Sequence, residues 1–165
     1  MKLLFLSLFT FSALFSLETE VFWTAFKTHK KIGVSGTFDT VKTVGNRLGN
    51  LSVEIATDSI NSGHAGRDFT LVNAFWKIQK VDHILAKVLE VKNDKIYVEI
   101  EMNGIKQVVE MEKSEEGDEV VAKGVIELSD FDMMKSLHSV NSHCYILHDG
   151  KTWTDVSISF RVSKF

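Results

Sequence analysis

His143, Cys144 and His148 form a local gathering of side chains that can ligate a metal. Zinc takes three or four nitrogen or sulfur ligands at about 2.0–2.3 Å, often with a Cys-x-x-Cys pair among them. Here the neighbours His143 and Cys144 diverge if the segment is extended, and Cys144 is the only cysteine. A weak metal or redox site at these three residues therefore stands as the alternative to ordinary packing. Nucleophilic chemistry has less to work with. A serine nucleophile needs a base and an oxyanion site, and neither Gly-x-Ser-x-Gly nor His-Glu-x-x-His occurs. The carboxylates alternate with apolar residues, which makes them a solvated strand face rather than a catalytic pair. No cofactor is implied, and the chain is expected not to be an enzyme.

Arg67 and Asp68 are adjacent and precede an apolar run. The packing interpretation makes Asp68 the cap of a helix over residues 68–79, with Leu71, Phe75 and Ile78 on one face. Arg67 then makes a surface or barrel-end ion pair. A second helix is expected from Asp130 to Val140.

The rest of the chain reads as strands. Ile96, Val98, Ile100 and Met102 alternate with Tyr97, Glu99 and Glu101, and Val53 and Ile55 share a face opposite Glu54. Val120, Ala122, Gly124, Ile126 and Leu128 alternate with Glu119, Val121, Lys123, Val125 and Glu127. Val156, Ile158, Phe160 and Val162 alternate with Asp155, Ser157, Ser159 and Arg161. A period of two with one apolar face predicts antiparallel sheet. Turns fall at Asn93-Asp94, Asn103-Gly104, residues 115–118 and His148-Asp149-Gly150. Strands are expected near 21–27, 31–39, 51–57, 84–91, 95–102, 105–112, 119–128 and 153–163. Eight such strands can close into a barrel wide enough for one small guest, or for side chains alone. Gly36, Ala122 and Gly124 on the inner face leave volume for either outcome.

At 165 residues the chain is one domain with a formal net charge of −3, which offers nothing to nucleic acid. Met1-Lys2 precedes an almost unbroken apolar run over residues 3–15. That length suits a secretory leader and is short for a spanning helix. Residues 1–16 are expected to be a signal peptide and 17–165 the folded domain, placed in the periplasm or secreted, with no stable membrane insertion once the leader is removed.

Four segments, in order, resemble the YceI-like family of secreted lipid-binding proteins. They are residues 31–39 (Lys-Ile-Gly-Val-Ser-Gly-Thr-Phe-Asp), residues 59–71 with Arg67-Asp68 and Leu71, Asn103-Gly104-Ile105-Lys106, and Ser129-Asp130-Phe131. The chain departs from the family in having Thr70, Val72 and Gln107 where His, Arg and Pro are usual. The resemblance implies a mainly β fold, an eight-stranded antiparallel lipocalin-like barrel with one or two short helices. It also implies a long-chain isoprenoid, fatty acid or fatty amide in the interior. Inner-face candidates are Val34, Phe38, Val53, Ile55, Ile100, Ile126, Ile158 and Phe160, with Phe22 and Phe26 added by the resemblance alone. Arg67 is the candidate at the mouth, donating to a headgroup oxygen. The alternative is a ligand-free interaction or stress-response module, and homodimerisation is left open.

Overall fold

The computed structural model describes residues 17–163, so the expected leader lies outside the described residues. Strands follow one another as the alternation predicts. They are β1 (Thr19–Lys27), β2 (Ile32–Phe38), β3 (Val41–Val44), β4 (Ser52–Ala56), β5 (Ile60–Asn61), β6 (His83–Val91), β7 (Lys95–Met102), β8 (Ile105–Glu116), β9 (Glu119–Glu127) and β10 (Thr152–Ser163). Helix α1 (Ala65–Ala74) lies between β5 and β6, and α2 (Met134–His143) between β9 and β10. All pairings are antiparallel, in the order β3-β4-β6-β7-β8-β9-β10-β1-β2-β5. The β7 segment shows the pattern most cleanly: Ile96, Val98, Ile100 and Met102 are all buried, and the residues between them are not.

The sheet has ten strands, not the expected eight. The two additions are the ends of the sheet, β3 and β5, and each continues a predicted strand. β2 runs into β3 through Asp39 and Thr40; β4 runs into β5 through a 3-10 turn at Thr57–Ser59. The pairing Thr37 with Asn61 and Phe38 with Ile60 gives way to Val41 with Ile55. That corner is a two-residue slip in one long antiparallel pair. Backbone bonds from Asp39 N to Ser59 O (2.9 Å) and from Ala56 N to Thr40 O (3.2 Å) hold it. The sheet therefore curls until chain continuity joins its two ends.

Both helices differ from expectation. α1 starts at Ala65 because the His64 ring, not Asp68, accepts from the backbone N–H of Arg67 (Nδ1, 3.2 Å). Asp68 instead lies in the first turn, where its charge suits the helix N-terminus, and accepts from Ser62 N (2.9 Å) and from the Ser62 hydroxyl. Before α2, Leu128–Phe131 form a 3-10 turn that Asp132 ends in the left-handed region (φ 54°). The helix consequently begins at Met134 and runs through His143, so the segment holding His143 is helical rather than extended.

Both helices lie at one end of the curled sheet. Lys27, the last residue of β1, pairs with Thr152 and Ile32. β5 runs antiparallel to β2 and so delivers the chain to that end, where α1 begins. β9 leaves beside Asp155, near the start of β10, and delivers α2 there as well. α1 and α2 pack on one another. The Gln79 amide also donates to the hydroxyl of buried Ser136, tying α2 to the turn that follows α1.

Candidate functional site

The sheet and the two helices enclose a cavity of about 440 Å³ with a mainly apolar wall. That lies within the ordinary range for a small-molecule pocket, about 300–1,000 Å³. Val34 and Phe38 of β2, Val53 and Ile55 of β4, Ile100 of β7 and Ile126 of β9 all line it, as do Ile158 and Phe160 of β10. Strand alternation explains this, because each side chain has the inward parity of its strand. Val156, Ile158 and Phe160 pack against the buried core and are themselves only half-buried, because they border the cavity.

Phe22, Phe26 and Arg67 also touch the cavity. The two phenylalanines have the opposite parity on β1 to Val21, Trp23 and Ala25, which pair with Phe160, Ile158 and Val156. Cations sit against both rings: the Arg161 guanidinium is 5.6 Å from Phe22, and the Lys31 ammonium 5.0 Å from Phe26. Arg67 approaches from α1, and no ion pair involves it among the described residues, contrary to the expected surface or barrel-end salt bridge.

The hollow does not come from the small residues. The indole of Trp23 covers Gly36, and Cγ of Met111 fills the space beside Gly124 at 3.0 Å from where a Cβ would stand. Ala122 is fully buried. The width of the ring leaves the space instead.

Sequence reasoning assigned the strand wall but not the wall the helices supply. Leu71, Phe75, Trp76 and Val140 line the cavity, as do Cys144 and His148. The signal for Leu71 and Phe75 was present as a shared helix face, although Ile78 from the same set is exposed. Trp76 packs edge-on against Phe75 (centroids 5.0 Å apart) and Phe38 (6.2 Å), and its buried indole N–H has no partner.

His143, Cys144 and His148 do not converge as a ligand set. His143 Nδ1 is 2.9 Å from the Ser139 carbonyl, and His148 Nδ1 is 2.7 Å from the Thr152 hydroxyl. Among the described residues, no three His, Cys, Asp or Glu side chains are grouped to hold a metal ion. Burial, and then the charge of Lys27, hold the His148 imidazole below its ordinary pKa. Lys27 pairs in register with Thr152, whose hydroxyl meets His148, at the cavity end where both helices lie.

The family model for the YceI-like domain matches residues 16–163. Among solved structures, a polyisoprenoid binding domain from Saccharophagus degradans implicated in plant cell wall breakdown superposes with a TM-score of 0.68 at 13% identity, covering 89% of this chain and 95% of that one. Burkholderia cenocepacia BcnA gives 0.59 at 11% identity, covering 89% and 96%. The Campylobacter jejuni YCEI protein gives 0.58 at 16% identity, covering 80% and 86%. At these identities the likeness is one of fold. No curated protein matches the chain.

Proposed function

Because the chain belongs to the YceI-like family, we propose that it is a binding protein that holds a long-chain apolar lipid in its interior. An isoprenoid, a fatty acid and a fatty amide all suit the space by their apolar tails. Counting β2 with β3 and β4 with β5 as single interrupted strands makes the container an eight-path, lipocalin-like barrel. The observation that carries this reading is the apolar cavity of about 440 Å³ within the curled sheet. The Saccharophagus degradans neighbour, described as a polyisoprenoid binding domain, agrees with it in fold.

The mechanism is removal of oily surface from water. Burying about 600 Å² of guest at roughly 25 cal/mol/Å² gives about 15 kcal/mol gross, from which ordering and association costs are subtracted. Val34, Phe38, Val53, Ile55, Ile100, Ile126, Ile158 and Phe160 form the contact wall, with Phe22 and Phe26 beside them and Arg67 near the headgroup. The role is sequestration rather than catalysis. The apolar run over residues 3–15 supports export to the periplasm or beyond, with residues 1–16 as the leader.

Mass spectrometry of organic extracts from gently purified protein tests the reading. A recurrent co-purifying lipid at near one per chain is the expected result, and repeated absence of any lipid overturns it.

A further inference from the structure

The charged groups on the cavity wall are of one sign. Lys27, His64, Arg67 and His148 line it, together with Lys87, Thr70, Thr152 and Ser159, and no aspartate or glutamate does. This contrasts with a chain whose acidic residues outnumber its basic ones and whose net charge is −3.

Lys27 and Arg67 stand out among these groups. Each is half-buried, and neither has an ion-pair partner among the described residues, whereas Lys31, Lys42, Lys95, Lys106 and Arg161 are all paired. Lys27 has the inward parity of β1, pairing with Ile32 in step with Ala25 and Val34. Arg67 lies one turn into α1, at the same end of the sheet. Asp68, beside Arg67 in the chain, accepts from Ser62, and Asp155 of β10 pairs with Lys31 at 2.8 Å. Lys87 differs in being exposed and paired in register with Ser52 and Glu99, so it belongs to the outer face. The wall therefore offers two cations and no carboxylate to balance them. A half-buried cation without a counterion is stabilised by an anion brought to it, through bonds stronger than those between neutral groups.

We propose that the guest carries an anionic headgroup, a carboxylate or a phosphate monoester, seated between Lys27 and Arg67 with its tail along the β-sheet wall. This inference rests on the carrier reading and adds to it the charge of the headgroup. A neutral amide or alcohol of equal chain length fills the same hollow but leaves both cations without a counterion.

Delipidated protein is titrated at neutral pH with hexadecanoic acid, hexadecanamide, farnesyl phosphate and farnesol, read by displacement of a fluorescent lipid. The anionic member of at least one pair is expected to bind about tenfold more tightly than its neutral partner. The pair that shows the preference identifies the headgroup as carboxylate or phosphate. In Lys27→Gln and Arg67→Gln the ratio falls toward one, with unchanged circular dichroism as the check on folding. Ratios within about twofold for both pairs on the wild-type protein overturn the headgroup inference and leave the carrier reading intact. Binding of none of the four lipids overturns both.

Discussion

Gly36 sits on β2 beneath the indole of Trp23, whose Nε1 donates to the Thr37 carbonyl at 3.1 Å. A methyl group on Gly36 would collide with the Asn61 carbonyl oxygen and come within 2.5 Å of the Trp23 ring. Neither obstacle is the free end of a flexible chain. Gly36→Ala is expected to lower the unfolding free energy by about 1–3 kcal/mol in a denaturant titration. His148 makes a second case at this scale. Its folded pKa lies below the ordinary value near 6.5, so the unfolded chain binds the proton more readily than the folded one. The neutral imidazole's contribution is present above that ordinary value and is lost as pH falls through it toward the folded value. Thermal melts of the wild type are expected to drop more between neutral and mildly acid pH than those of His148→Asn. An equal drop in both removes His148 from the account. Asn103 shows how far single residues are legible. The Asn-Gly pair correctly marked a hairpin, with both residues at positive φ. Nothing in the pair indicated that the buried Asn103 amide would donate to the Phe131 carbonyl (3.0 Å) and accept from Lys80 N (2.9 Å). Such contacts join segments far apart in the chain, and local spacing carries no record of them.

At the scale of elements, long alternating strands were readable and short ones were not. β7 and β9 alternate over eight or nine residues, enough for a period of two to stand out. β3 has four residues and β5 two, and their pairing is imposed by the strands they continue. Val121 breaks the alternation of β9, being buried on the outer side opposite Arg161 in register. The helix starts were misplaced because the residue expected to cap α1, Asp68, belongs to the common capping set whereas His64 does not. Ser59 tests the corner between β4 and β5. Its hydroxyl donates to the Ala56 carbonyl (2.7 Å) and accepts from Thr40 N (3.1 Å). Ser59→Ala is expected to cost about 0.5–1.5 kcal/mol in stability. It is also expected to speed amide exchange at Thr40 relative to the β7 amides, as measured by hydrogen-exchange NMR. Unchanged exchange at Thr40 would show that the backbone bonds alone hold the slip.

For the molecule as a whole, the sequence made the strand contribution to the interior visible but not the space itself. Alternation assigns a side to each residue, whereas the volume left over depends on how wide the ring is when it closes. The same limit hid the helix wall: an apolar helix face says that it is covered, not what covers it. Ile126 connects these levels, being buried among core residues while bordering the cavity. Ile126→Trp should occupy part of the hollow, so co-purifying lipid is expected to fall severalfold while the circular dichroism spectrum keeps its β signature. Full lipid loading in a folded Ile126→Trp protein would remove that part of the wall from the binding surface.

The joined ends of the sheet also have a kinetic consequence. The β2–β5 and β3–β4 pairs join the two ends of the curled sheet by a few rungs, and exit by way of the helical end requires α1 and α2 to move apart. Residence time there follows the opening rate of that pair, while affinity follows the oil and charge inside. A linker locking the two helices together should therefore slow release of a loaded passenger far more than it tightens equilibrium binding. On the proposed reading, the protein would then discharge its cargo when something opens it, rather than by steady leakage.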